Sequence, residues 1–268
     1  MAEPTFDRSR FLAHLTTRRL GHTLIARASV GSTNDVAWEA LADGLPDGTT
    51  VVADEQTQGR GRAERAWHTA PERGLALSVA LHPGCERDRI AIAPLVAGLA
   101  LARALDRLGL RTRLKWPNDL LHDGRKLAGV LCESRKLATG EDAVVIGAGV
   151  NVAQRAEDFP PELRTLATSL ALAGCETDRE RVAAEFLGAL EPLWDEVQEG
   201  ELGPILAAWK ERADGWGEPV TVRTPSGPLT GRARDLDPGG ALVLEVDGGR
   251  TVTVWAGDVE LGAAEERR

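Results

Sequence analysis

Residues 115–135 read KWPNDLLHDGRKLAGVLCESR, in which short apolar runs alternate with two polar corners. Pro117 fixes its own φ and favours an extended conformation for the residue before it, so a strand should end at the first corner. The Asp123-Gly124 pair at the second corner is typical of a β-hairpin turn. The stretch therefore predicts three short strands separated by tight turns: 110–116, 120–121 and 127–132, the last interrupted by Gly129.

Polar side chains gather at these two corners. Lys115, Asn118 and Asp119 stand at the first corner, and Arg125 and Lys126 follow the second. Strand pairing would bring a carboxylate, an amide and up to three cations to one edge of a sheet. Such a group suits a phosphorylated or anionic ligand. For this stretch alone, a charged hairpin on a solvated surface is an equally good interpretation.

Composition limits the classes of protein to be considered. The chain has 268 residues, of which 43% are hydrophobic, enough for one large domain or for a domain of about 200 residues plus a small one. No apolar run approaches the ~20 residues that span a bilayer, and residues 1–10 lack a secretory signal. The three cysteines are far apart and form no CxxC motif, which disfavours disulfides or zinc and favours the reducing cytoplasm.

The charge distribution favours a small anionic ligand over nucleic acid. The net charge is −9, whereas non-specific binding of nucleic acid needs a basic surface. Positive charge is instead concentrated locally in two segments, 60–65 and 111–126. The first 20 residues predict only a short helix, too little for a winged helix of roughly 60 residues.

A strand at 22–30 is followed by Gly31 and by Ser32-Thr33-Asn34, after which 33–43 predicts a helix that stops at Gly44. Small hydroxyls at such a position usually cap the helix. The same N-terminus also presents free N–H groups and hydroxyls to a polar ligand. Both interpretations are compatible.

A glycine- and arginine-rich loop, 55–74, follows a strand at 49–54 and contains Gln56, Arg60, Gly61, Arg62 and Arg65. It is not a P-loop, because GxxxxGK[ST] is absent, and it lacks the third glycine of a dinucleotide fingerprint. Its arginines could close over a phosphate with paired hydrogen bonds. A flexible basic turn is the alternative.

The remaining elements complete two domains, 1–215 and 216–268. The first is predicted to contain strands at 75–82 and 143–152, a buried helix at 90–108, an irregular segment at 155–176 and helices at 178–198 and 203–213. Gly147 and Gly149 suggest close approach of a ligand, although a bulged strand ending at Asn151 is the plainer interpretation. The second domain predicts a small antiparallel barrel with strands at 220–223, 229–235, 242–246 and 251–255, and a frayed end.

A set of motifs in this order resembles biotin protein ligases. It comprises Ser32-Thr33-Asn34, QTQGRGR at 56–62, KWPNDL at 115–120, RKLAG at 125–129, GAGVNV at 147–152 and a TSL triplet at 168–170. The resemblance covers about residues 22–262, and KWPND followed by RKLAG is its most specific part. Lipoate ligases share the fold but lack this set.

The resemblance implies an α+β fold, with a mixed sheet flanked by helices similar to class II aminoacyl-tRNA synthetases, and a C-terminal SH3-like barrel. It implies activation of biotin by ATP with Mg²⁺ to biotinyl-5'-AMP, and transfer to a lysine of a biotin carboxyl carrier protein, a carboxylase subunit. Without a winged helix, the chain resembles the monofunctional type. It should be cytoplasmic, bind neither DNA nor membrane, and be a monomer or weak homodimer.

The same resemblance implies roles for individual residues. The implied biotin contacts are Ser32, Thr33, Asn34, Gln56, Arg60, Gly61, Arg62, Lys126 and Gly129. The implied ATP contacts are Arg60, Arg62, Arg65, Trp67, Lys115, Asn118, Asp119, Lys126 and Asn151. The implied catalytic residues are Lys126, Arg62 and Asp119, with Asp119 also facing the magnesium ion. No protein nucleophile is required, so positioning and charge stabilisation should carry the reaction.

One departure concerns the arginine-rich loop, where Ala63 and Glu64 stand in place of a basic or polar residue and a glycine. The change should affect loop closure and retention of the adenylate more than the reaction class. Two other functions remain open: a lipoate or other acyl-carrier ligase of the same fold, and a non-catalytic small-molecule-binding regulatory module. An intact Lys126 and Asp119 argue against the second.

Overall fold

A seven-stranded mixed sheet forms the centre of the computed structural model, which describes residues 3–261. The strand order is β1-β2-β3-β7-β6-β5-β4, in which the β1–β2 pair is parallel and the other neighbours are antiparallel. The strands are β1 Leu24–Val30, β2 Thr50–Gln56, β3 Gly74–Leu81, β4 Arg113–Lys115, β5 Asp119–His122, β6 Arg125–Lys136 and β7 Asp142–Asn151.

Six helices accompany this sheet in the described part of the chain: α1 Arg8–His14, α2 Thr33–Ala42, α3 Arg87–Ile90, α4 Ala93–Arg107, α5 Arg179–Glu199 and α6 Leu202–Arg212. The helix predicted at 90–108 is divided, since α3 ends at Ile90 and α4 begins at Ala93, with Pro94 in its first turn, where proline costs no hydrogen bond. None of the helices within 3–261 is long and apolar enough to cross a bilayer.

The two faces of the sheet have different partners because side chains of a strand alternate. In β3, Leu75, Leu77 and Val79 join the main apolar core, which also contains the buried side chains of α4 and α5. Ala80 packs instead with Trp38 and other side chains of α2. Ser78 has the same parity as Ala80 and faces the side of the sheet that carries α2.

The hairpin of strands β4 to β6 confirms the predicted turn and corrects the strand lengths. Asp123 and Gly124 both have positive φ, 48° and 72°, as an Asp-Gly hairpin turn requires. The strand predicted at 110–116 is shorter, and the Trp116–Pro117 peptide bond is cis. Gly129 does not interrupt β6, because it pairs with Asp119 on one side and Gly149 on the other.

A second, antiparallel sheet follows, with strand order β11-β10-β9-β8-β12. Its strands are β8 Pro219–Thr224, β9 Gly227–Leu236, β10 Leu242–Val246, β11 Arg250–Val254 and β12 Asp258–Leu261. The predicted barrel is thus confirmed, but with a fifth strand that its short, charged sequence did not reveal. The end predicted to fray, 262–268, lies outside the described residues, and the domain boundary at 215/216 stays a prediction.

Candidate active site

A cavity of about 800 Å³ lies where the N-terminus of α2, the arginine-rich loop, the hairpin of β4 to β6 and strand β12 meet. Every residue to which the resemblance assigns a role in binding or catalysis lines this cavity: Ser32, Thr33, Asn34, Gln56, Arg60, Gly61, Arg62, Arg65, Trp67, Lys115, Asn118, Asp119, Lys126, Gly129 and Asn151. The structure therefore brings together residues that are up to 119 positions apart, from Ser32 to Asn151. Their individual roles remain predictions.

Three glycines of strands β6 and β7 line this cavity. A Cβ atom on Gly147 would overlap the amide of Asn34, and one on Gly149 would overlap the ring of Trp67. Gly129 pairs with Gly149 across the strands and also lies against Trp67. The sequence suggested that a ligand approaches the glycines of β7 closely. In the structure, the side chains of Asn34 and Trp67 lie against these glycines.

The N-terminus of α2 presents a group of buried polar side chains. Ser32 occupies the N-cap position, yet its side chain makes no capping hydrogen bond. Thr33 donates its backbone N–H to Gln56 Oε1 at 2.8 Å, and its hydroxyl lies 3.0 Å from the same oxygen. The alternative of a simple helix cap therefore does not account for Ser32, whose hydroxyl is not used for capping.

A buried carboxylate between two lysines also lines the cavity. Asp119 contacts Lys126 Nζ through Oδ1 at 2.6 Å and Lys115 Nζ through Oδ2 at 3.2 Å. Burial alone would raise the pKa of Asp119, but Lys126 and then Lys115 outweigh it and hold the pKa below the usual range. Two cations thus share one anion, which leaves positive charge to attract an anionic ligand.

Lys126 is held in place from several sides. Its backbone N–H donates to the carbonyl of Leu166, and its carbonyl accepts from Thr168 N–H, at 2.7 and 2.9 Å. The ammonium also lies 5.5 Å from the ring centroid of Trp67, within the range of a cation–π contact. The backbone hydrogen bonds fix the Cα end of Lys126, and the contact with Trp67 positions its ammonium group. The hydrogen bond from Thr168 shows how the TSL segment contributes to the site.

The arginines of the loop are paired with acidic residues in this structure. Arg60 makes two hydrogen bonds with Asp35 of α2, at 2.8 and 2.5 Å, which lowers the pKa of Asp35. Arg65 lies 2.8 Å and Arg62 lies 3.4 Å from Oδ1 of Asp258, in strand β12. Burial lowers the pKa of Arg62, and Asp258 acts in the opposite direction. An anion next to this desolvated guanidinium would therefore be stabilised.

The loop itself folds as a narrow hairpin, closed by a bridge between Arg60 and Ala66. Ala63 turns the chain with φ 51° and ψ 41°, a left-handed conformation that an alanine adopts at a cost of roughly 1–2 kcal/mol. The departure noted in the sequence thus coincides with local backbone strain. The side chain of Glu64 lies outside the described part of the structure.

Two asparagines at the site use their amides partly for structure. Asn118 donates from Nδ2 to the carbonyl of Val130 at 2.6 Å. Asn151 donates to the carbonyl of Thr168 at 2.9 Å and accepts from Gln154 Nε2 at 3.1 Å. The remaining lone pairs and hydrogens of the two amides are available to a ligand.

Several residues of the site were missed by the sequence analysis. Ser78 contacts Thr33 and Asn34, and its only signal was a lone hydroxyl in an otherwise apolar strand. Asp258 reaches the loop from nearly 200 positions away, so no local pattern could have identified it. Leu163 and Leu166 line the cavity from the segment that the sequence left as irregular.

The fit of a magnesium ion depends on Asp119. Among residues 3–261 no group of three histidine, cysteine, aspartate or glutamate side chains is placed to hold a metal. Both oxygens of Asp119 contact lysines. Mg²⁺ is usually held by one or two carboxylates together with phosphates and water. The residues therefore fit a metal that arrives with a nucleotide better than one resident in the protein.

Comparisons with known proteins agree with this geometry. Residues 26–151 match the sequence model of the Biotin/lipoate A/B protein ligase family, and residues 216–262 match that of the biotin protein ligase C terminal domain. A bifunctional ligase/repressor BirA from Bacillus spizizenii is 36% identical, over 92% of this chain and 77% of that protein. A biotin--[acetyl-CoA-carboxylase] ligase from Mycobacterium tuberculosis is 36% identical, over 94% of this chain and 98% of that protein.

A solved structure has the same architecture over both domains. The biotin protein ligase from Aquifex aeolicus, in complex with biotin and ATP, is similar with a TM-score of 0.75 and 30% identity. The similarity covers 89% of this chain and 98% of that one. It confirms the α+β fold class, and the small C-terminal sheet fits an SH3-like barrel. By motif, fold and sequence identity, the chain belongs to the biotin/lipoate A/B protein ligase family.

Proposed function

We propose that the protein is an ATP-dependent biotin protein ligase, which activates biotin to biotinyl-5'-AMP and transfers the biotinyl group to a lysine of a biotin carboxyl carrier protein. The observation that carries this proposal is the joining of two groups in one cavity. The polar group at α2 offers donors and acceptors to a ureido ring. The Asp119–Lys126–Lys115 cluster offers positive charge to a carboxylate and phosphates.

In the first step, a carboxylate oxygen of biotin attacks the α-phosphorus of ATP, and the bond to pyrophosphate breaks. Two anions must meet, so the main task of the protein is to position them and to stabilise charge. Lys126 is our choice for the catalytic residue, bridging the biotin carboxylate and the α-phosphate. Arg62, poorly solvated and close by, would take up charge that develops on the phosphate oxygens.

In the second step, the amine of the acceptor lysine attacks the acyl carbon of the adenylate, AMP leaves, and the amine loses a proton. Asp119 is the candidate to orient that amine, since it is ionised and already contacts two ammonium groups. Mg²⁺, which we expect to arrive with ATP near Asp119, would neutralise phosphate charge. The name of the Mycobacterium tuberculosis relative supports an acetyl-CoA carboxylase subunit as the acceptor.

The test is exchange of labelled pyrophosphate into ATP, with biotin or lipoate as the acid and with or without Mg²⁺. We expect exchange that requires biotin and Mg²⁺, ignores lipoate, and falls by about two orders of magnitude or more in Lys126→Ala. Lys136→Ala, at the exposed end of the same strand, is the matched control and should retain activity. Exchange with lipoate would mean that lipoate, and not biotin, is the substrate. No exchange with either acid would overturn the proposal.

A further inference from the structure

Two hydrogen bonds hold the side-chain amide of Asn151, the last residue of β7. Asn151 Nδ2 donates to the carbonyl of Thr168 at 2.9 Å, and Asn151 Oδ1 accepts from Gln154 Nε2 at 3.1 Å. Asn151, Thr168 and Gln154 are all buried, with exposed fractions of 4%, 0% and 2%. Of the three, Asn151 alone lines the cavity, so Gln154 can act on a ligand only through Asn151.

The carbonyl of Thr168 determines the direction of both bonds. A carbonyl oxygen only accepts, so the nitrogen of the Asn151 amide faces Thr168 and the oxygen faces Gln154. That oxygen also only accepts, so Gln154 must present its own nitrogen. The last torsion of an asparagine side chain is otherwise broadly distributed, and a single bond would let the amide swing. Bonds at both ends fix its plane.

The surroundings of Gln154 are arranged around this contact. Gly74 pairs with Asn151 across β3 and β7, and a Cβ atom on Gly74 would lie 2.9 Å from Gln154 Nε2. The oxygen of the Gln154 amide is buried and has no hydrogen-bond partner among residues 3–261, which costs stability. An apolar side chain of similar size would avoid that cost, so stability alone does not account for a glutamine here.

The Asn151 amide keeps one hydrogen and one lone pair for a ligand. Gly149 lies on the same face of β7, two residues before Asn151, and the ring of Trp67 lies against it. An aromatic ring beside an amide suits a nucleobase, which stacks on the ring and is hydrogen-bonded at its edge. Adenine offers a donor at N6 and an acceptor at N7, whereas guanine offers two acceptors there. The amide therefore matches adenine at two atoms and guanine at one.

We propose that Gln154 is a positioning residue that holds the oxygen of Asn151 toward the N6 amine of adenine and so sets the preference for ATP over GTP. This inference rests on the proposed function, in which Asn151 contacts the nucleotide. The oxygen is the discriminating atom, because guanine has a carbonyl where adenine has its amine. Gln154 contributes to the recognition of the base and not to the binding of biotin.

The test is pyrophosphate exchange at saturating biotin and Mg²⁺, with ATP or GTP as the nucleotide. Gln154→Met keeps the length of the side chain and removes the donor. We expect it to raise KM for ATP about tenfold, the effect of one lost buried hydrogen bond, with kcat nearly unchanged. Since kcat/KM for GTP should change little, the preference for ATP should fall by the same factor. Gln154→Leu removes the same donor and should give the same result.

Two further measurements separate this role from a general loss of stability. Because Gln154 acts through Asn151, the Gln154→Met/Asn151→Ala double variant should have no higher KM for ATP than Asn151→Ala alone. Kd for biotin, measured by calorimetry without ATP, should stay at the wild-type value in Gln154→Met.

Gln198→Met is the matched control, since Gln198 also donates its side-chain amide to a carbonyl, that of Pro83, and does not line the cavity. Its kcat/KM for each nucleotide should equal that of wild type.

Three results would overturn the role of Gln154: an unchanged KM for ATP in both Gln154 variants, an equal loss of kcat/KM for ATP and GTP, or effects of Gln154 and Asn151 that simply add. Equal use of ATP and GTP by the wild-type protein would do the same. Absence of any biotin-dependent exchange in the wild-type protein would instead overturn the proposed function, so the two failures can be told apart.

Discussion

At the residue scale, the site depends on charges that are held close together. Asp119 has a lowered pKa in the folded protein because Lys126 and Lys115 outweigh the effect of burial. The motif indicated these three residues, but the sequence could not show that one carboxylate would contact both lysines. That depends on the Asp-Gly turn, which brings the start of β6 next to β5.

Asp119→Asn should lower the stability of the folded protein at pH 7 by roughly 1–3 kcal/mol, because two partly buried lysines lose their counter-charge. A carboxylate with a lowered folded pKa stabilises the protein above the unfolded pKa, and this contribution disappears as pH falls through the folded pKa. The difference between wild type and variant should therefore shrink between pH 5 and pH 2. Urea unfolding at several pH values measures it.

Asp123→Asn is the matched control for this prediction, because its side chain is 80% exposed and asparagine tolerates the positive φ of the turn. Its stability should stay close to that of wild type at each pH. A stability difference for Asp119→Asn that persists unchanged at pH 2 would contradict the assigned charge interaction.

At the element scale, most strands and helices were predictable because each has a strong local pattern. The Asp-Gly turn and the apolar runs of β3 and β7 are examples. The errors lie where long-range pairing overrides the pattern. Strand β6 continues through Gly129 because it has hydrogen-bonding partners on both sides, and β12 exists because β8 pairs with it.

Contact between the arginine-rich loop and β12 is the clearest case of such long-range pairing. Asp258→Asn should release Arg65 and weaken the hold on Arg62, since Asp258 accepts from both guanidinium groups, while Arg62 keeps its hydrogen bond to the carbonyl of Gly257 at 3.0 Å. Limited digestion with trypsin, which cuts after arginine, should then cleave the loop several-fold faster. Mass spectrometry of the first fragments identifies the cleavage site.

Glu260→Gln provides the comparison, since Glu260 lies on the same strand but pairs with Arg223 of β8. The arginine-rich loop of the Glu260→Gln variant should be cleaved at the wild-type rate. Equal cleavage rates in Asp258→Asn and wild type would show that Asp258 does not hold the loop.

At the scale of the whole molecule, the two domains were predictable as separate patterns, but their contact was not. Val220, Leu242 and Leu244 of the barrel belong to the same apolar core as Leu95 of α4. Trp116 also donates its indole N–H to the carbonyl of Gly240 at 3.1 Å. Complementary surfaces of this kind leave no periodic signal in a sequence, because each half appears as an ordinary core position.

A shared core should make the two domains unfold together. We expect scanning calorimetry to show one transition with equal calorimetric and van't Hoff enthalpies. Trp116→Phe removes the indole donor to Gly240 and should cost about 1 kcal/mol, which corresponds to about 2–4 °C in Tm. The whole transition should shift without splitting.

Trp255→Phe, at a side chain that is 68% exposed, should leave Tm nearly unchanged. Two transitions, only one of them moved by Trp116→Phe, would instead mean that the barrel unfolds independently.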